Sequence, residues 1–110
     1  MRAYLIDEIL PDDMANIRAY LKENTVSSRL DQVFWAQIPD DLLSADQLAH
    51  KNCRPHVFAV ELGEDWVKCE YFIRSLPNMQ CTCPAYAGRL QRRHILSFAD
   101  NMIRQLGVKT

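Results

Sequence analysis

The chain has 110 residues, 48% of them hydrophobic and 25% charged, with a formal net charge of −1. That is ordinary globular composition, and the length suits one domain over 1–110 that removes roughly two-thirds of its unfolded surface from water. Near-zero charge gives no global pull toward nucleic acid or anionic membrane, three glycines leave no Gly-rich phosphate loop, and no apolar run is long enough to span a bilayer.

Met1-Arg2-Ala3-Tyr4 leads straight into Asp7 and Glu8, so no signal peptide and a cytoplasmic location are expected, and the four cysteines then count against structural disulfides. Residues 3–10 are expected to hold a strand. Pro11 suits a first helical position, Asp12 and Asp13 suit the positive end of a helix dipole, and Met14, Ile17, Tyr20 and Leu21 repeat at helical spacing, which predicts an amphipathic helix over 11–23. The stretch 30–38 carries Val33, Phe34, Trp35 and Ile38 with little alternation and reads as an interior strand. Ser44-Ala45-Asp46-Gln47 is a capping box that predicts a short helix from Ala45 to about His50.

The most legible stretch is His56 to Ser75, a β-hairpin turning at Gly63-Glu64-Asp65-Trp66. Pairing Leu62 with Val67 sets Val60 against Cys69, Phe58 against Tyr71 and His56 against Ile73 on an apolar face. The other face then pairs Glu61 with Lys68, Ala59 with Glu70 and Val57 with Phe72. Met79 to Cys83 reads as a third, short strand that completes a meander over 56–83. Pro84 opens a long helix over 84–106, with a stripe of Ile95, Phe98, Ala99, Met102, Ile103 and Leu106 and with Gly107 at C′. Burying these faces together gives an α+β, two-layer sandwich: a mainly antiparallel sheet packed by the two longer helices.

Three groups of residues carry metal or thiol chemistry. Cys81-Thr82-Cys83-Pro84 followed by His94 resembles the SWIM zinc-binding segment, a hairpin then a helix carrying Cys-x-Cys and later Cys-x-His. The resemblance covers about fourteen residues and implies zinc on Cys81, Cys83 and His94, with Arg92 standing where the segment has its third cysteine; Cys69 is the candidate to complete four ligands through space. Second, His50-x-x-Cys53-x-x-His56 offers residue types that suit zinc on a loop able to gather them, against the plainer reading of a polar loop with surface histidines. Third, Cys83 lies next to the proline that would sit at N1, where a helix N-terminus lowers a thiol pKa; Cys81 would be its resolving partner.

The adjacent acidic pairs Asp12-Asp13, Asp40-Asp41 and Glu64-Asp65 read as helix-end or turn residues, and no hydrolase signature occurs. Arg89, Arg93 and Arg104 form a candidate basic patch on the last helix. Val57, Trp66 and Phe72 form a candidate interface if helices cover only the opposite sheet face. The reading that follows is a non-catalytic interaction or regulatory module with a protein partner or a second copy of itself, no nucleic acid and no membrane. It needs no cofactor. The alternatives are a zinc-binding domain using Cys81, Cys83 and His94, and a thiol-redox protein using Cys83.

Overall fold

The computed structural model describes residues 2–110. Among these, seven strands form one antiparallel sheet: β1 (Ala3–Ile6), β2 (Val26–Ser27), β3 (Val33–Gln37), β4 (His56–Leu62), β5 (Val67–Glu70), β6 (Phe72–Ser75) and β7 (Ala85–Tyr86). The path runs β1-β5-β4-β3-β2, with β6 also on β4 and β7 on β6. The helices are α1 (Pro11–Asn24), α2 (Ala45–Ala49) and α3 (Arg89–Gln105). This is the α+β sandwich expected from the patterning, and among the described residues no helix is long and apolar enough to cross a membrane.

One face of the sheet is roofed by α1 and α3. Phe34, Phe58, Val60, Val67, Cys69 and Ile73 meet Ile17 and Leu21 of α1 and Ile95, Ala99 and Met102 of α3, all essentially inaccessible to water. Phe58 sits at the centre, edge-on to Phe98 at 5.5 Å between ring centroids. Each large apolar side chain removed from water in this way contributes on the order of 1.5–3 kcal/mol. Gly107, with φ of +66°, turns the chain out of α3 in the left-handed conformation that a Cβ disfavours, and Val108 N–H then bonds back to the Ile103 carbonyl at 3.0 Å.

The hairpin forms, with Leu62 opposite Val67 and Gly63 N–H bonded to the Trp66 carbonyl at 2.9 Å across a four-residue loop. The indole of Trp66 lies directly on Gly63, where an added Cβ would stand 1.9 Å from the ring. Further down, the register departs from simple period-two pairing. Val60 faces Cys69 but Val57 faces Arg74, so three steps along β4 match five along its partner. Two extra residues bulge out around Tyr71, whose N–H bonds to the Arg2 carbonyl and whose carbonyl accepts from Ala87 N–H. His56 therefore faces Ser75, not Ile73. An even offset leaves every side chain on its expected face, so Phe58, Cys69 and Ile73 stay in the core.

Two boundaries near the C-terminus also move. Met79 to Cys83 is a turn followed by irregular chain, and the strand that completes the meander is Ala85–Tyr86, paired with Phe72 and Ile73. Pro84 does not open the helix. The backbone after it is committed to pairing with β6, and α3 begins at Arg89, where the Gln91 side chain accepts from Gly88 N–H at 3.0 Å.

The outer sheet face carries Glu61–Lys68 and Glu70–Arg74 ion pairs, with Lys68 over the Trp66 ring and Arg74 over Phe72. Val57 is buried rather than presented, and Trp66 and Phe72 are half-buried beneath these cations. Replacing Phe58 by Ala should lower the unfolding free energy by about 3–5 kcal/mol with an unchanged denaturant m-value, as measured by urea titration.

Candidate metal centre

The centre is assembled from two loops that meet beyond the lower end of the β4–β6 pair. The first loop follows α2. Its start is fixed by a buried amide relay: Ser44 accepts from Gln47 N–H at 3.2 Å, Gln47 Oε1 accepts from Ser44 N–H at 3.0 Å and from Gln91 Nε2 at 2.8 Å, and Gln91 Nε2 also donates to the Leu42 carbonyl. The capping box read from the sequence is thus present, and it is tied to the start of α3. His50 is the C-cap of α2, and a single 3-10 turn over Lys51–Cys53, closed by Cys53 N–H on the His50 carbonyl at 3.0 Å, puts Cys53 beside it.

The second loop leaves β6. Ser75, opposite His56, is fully buried; its hydroxyl donates to the Cys53 carbonyl at 2.7 Å and accepts from Asn78 N–H at 3.1 Å. Leu76 N–H bonds to the Pro55 carbonyl, so the two loops are stitched at backbone level. Asn78 shapes the turn by accepting from Gln80 N–H on its side chain and from Cys81 N–H on its carbonyl. This delivers Cys81 and Cys83.

Four donors converge. His50 Nδ1 is 3.1 Å from Cys81 Sγ and 3.9 Å from Cys53 Sγ, Cys53 Sγ is 3.1 Å from Cys81 Sγ, and these three atoms with Cys83 Sγ all lie within 4.8 Å of one another. A tetrahedron with Zn–S bonds of ~2.3 Å has edges of ~3.8 Å, in the middle of this range. Three thiols and one imidazole are the soft set that selects a tetrahedral thiophilic ion over magnesium or calcium. All four cysteines of the chain are free thiols.

The electrostatics of the centre are uneven. Cys83 N–H donates to Cys81 Sγ at 3.4 Å, and this bond, with the Cys53 thiol, lowers the Cys81 pKa to about 6. Cys53 and Cys83 are buried while Cys81 is partly exposed. Burial pushes the Cys83 thiol up to about 12. Beside Cys83, His56 is wholly buried, its Nε2 3.4 Å from the sulfur and its Nδ1 without a partner. Burial also lowers the His56 pKa, so the ring favours its neutral form.

No family model matches this chain, and comparison with curated proteins and with solved structures returns no match. The donor geometry therefore stands on its own.

The sequence-derived candidates divide. Cys81 and Cys83 fall in the cluster, joined by His50 and Cys53 from the His-x-x-Cys-x-x-His loop, whose last histidine lies against Cys83 without joining the four. His94, the third position of the SWIM-like match, sits apart, its ring edge-on to Phe58 at 6.4 Å. Cys69 is a core thiol opposite Tyr4 and Val60, and burial pushes its pKa up to about 12. Cys83 is not at a helix N-terminus, because α3 starts six residues later, so the expected dipole activation has no footing. The basic patch is also dispersed. Arg104 bonds to Asn101, and eleven residues of helix put it ~16 Å along α3 from Arg93. Arg89 and Arg93 border a shallow recess with Leu96, while Arg92 stacks on Tyr71.

A groove of about 680 Å³ on the outer sheet face is lined by Trp35 and Ala59 together with Leu76 and Met79 of the second loop, and by none of the four donors. Burial lowers the His94 pKa, offset in part by the Gln37 backbone. A depressed histidine pKa gives stability that is present above the unfolded value, near 6.5, and lost as the pH falls through the folded one. The stability advantage of the wild type over His94→Gln, measured by urea titration at several pH values, should therefore shrink as the pH is lowered from 7.5 to 5.

Proposed function

We propose that this chain is a non-catalytic zinc-binding module whose metal is structural. His50, Cys53, Cys81 and Cys83 would hold the ion. The observation that carries this reading is the convergence of one imidazole and three thiol donors, from two loops separated by 28 residues at their nearest sulfur pair, within 4.8 Å. Four protein ligands fill a tetrahedral shell and leave no open position for water or substrate, which favours a structural role over a catalytic one. When bound, zinc supplies a crosslink between the α2–β4 loop and the β6–β7 loop. Apart from their hydrogen bonds those loops bury little apolar surface, since Lys51, Asn52, Pro77, Asn78, Met79 and Gln80 are all exposed. The interaction role expected from the sequence is compatible with such a scaffold, because a closed metal site offers no position for a substrate.

Purified protein should contain about one zinc per chain by elemental analysis, and a strong chelator should lower its melting temperature. Cys81→Ser and Cys83→Ser should each deplete the metal, while Cys69→Ser and His94→Gln should retain it. Metal-free protein with unchanged melting behaviour in chelator would overturn the reading.

A further inference from the structure

The three sulfurs of the centre are not equivalent, and their differences assign a modification site. Cys81 is the one ligand thiol that water can reach, whereas Cys53 and Cys83 are 6% and 4% exposed. The Cys53 sulfur lies 3.1 Å from that of Cys81, closer than two unbonded sulfurs ordinarily sit, and the two come from different loops. Cys83 has its own neighbour in His56 Nε2 at 3.4 Å, inside the protein. An accessible thiolate with a resolving thiol 3.1 Å away on another loop is the arrangement that redox-sensing cysteines share.

We infer that Cys81 and Cys53 form an oxidant-responsive pair that releases the metal, an inference resting on the zinc reading above. The oxidant is hydrogen peroxide. The Cys81 thiolate attacks one peroxide oxygen, the O–O bond breaks, and the leaving hydroxide takes a proton to become water, which leaves a sulfenic acid on Cys81. The Cys53 thiolate then attacks the Cys81 sulfur. The S–S bond forms as the S–O bond breaks, and the departing hydroxide takes a second proton. Two thiolates are oxidised by two electrons, one peroxide is reduced to two waters, and zinc loses two of its four ligands. The new disulfide still joins the two loops, so oxidation exchanges one crosslink for another and frees His50 and Cys83. Cys69, sealed in the core with its pKa pushed up, takes no part.

The test uses the zinc-loaded full chain, hydrogen peroxide, a chromophoric zinc indicator and disulfide mapping by mass spectrometry. The expected result is loss of about one zinc per chain in step with one Cys53–Cys81 disulfide, both reversed by dithiothreitol and added zinc. Fragmentation at Thr82 separates Cys81 from Cys83 in the mapped peptide. Zinc retained under peroxide, or released with a Cys81–Cys83 or Cys53–Cys83 bond in place of the expected one, would overturn the inference. Cys53→Ser should trap the Cys81 sulfenic acid with a dimedone probe; if that variant fails to fold, mapping of the wild type decides alone. A chain isolated without zinc overturns the metal reading instead, and the position of its disulfide under peroxide still decides whether Cys53 and Cys81 are the reactive pair.

Discussion

The arrangement rests on the pairing of His56 with Ser75 at the lower end of the central hairpin. From that register Ser75 reaches the Cys53 carbonyl at 2.7 Å and the loop carrying Cys81 and Cys83 leaves the sheet beside the loop carrying His50 and Cys53. Had the pairing continued without the bulge at Tyr71, Ile73 would lie opposite His56. The second loop would then depart two residues, ~7 Å, out of place. A displacement of that size exceeds the whole span of the donor cluster. The bulge is therefore the local irregularity that brings the two half-sites together, and the bonds from Tyr71 to Arg2 and Ala87 hold it open.

Rigidity on one side and exposure on the other are the setting of the proposed metal centre. The sheet and helices bury a continuous apolar core around Phe58, with the Gln47–Gln91 amides carrying order out to α2 and so to His50. Beyond that the loops contribute almost no apolar burial. Small domains commonly meet such a shortage with a metal or a disulfide, because the hydrophobic area available per residue is low. A metal held by the proposed His/Cys3 centre would supply the missing constraint at one point.

Much of this was legible in the sequence. The Leu62–Val67 end of the hairpin, the α1 and α3 stripes and the Ser44–Gln47 capping box follow from period and cap chemistry alone. The bulge was not, because Glu70-Tyr71-Phe72 carries no glycine or proline to mark it, and what opens it is pairing with β1 and β7 on the same edge. Nor was the start of α3. Pro84 next to a cysteine resembles an N1 proline, but the Ala85–Tyr86 backbone is drawn into the sheet first. The candidate metal ligands were visible as two separate pairs, His50/Cys53 and Cys81/Cys83. Their partnership was hidden because it depends on long-range register. His94 attracted attention through its spacing from Cys83, yet it lies on the α3 face that packs against Phe58.

The central claim is that three sulfurs and one imidazole nitrogen of this chain surround a single ion. X-ray absorption at the zinc edge tests it most directly. The account predicts a first shell of three sulfurs at ~2.3 Å and one nitrogen at ~2.0–2.1 Å, with the outer-shell scattering of a histidine ring. A shell dominated by oxygen, or one with only two sulfurs, would contradict it.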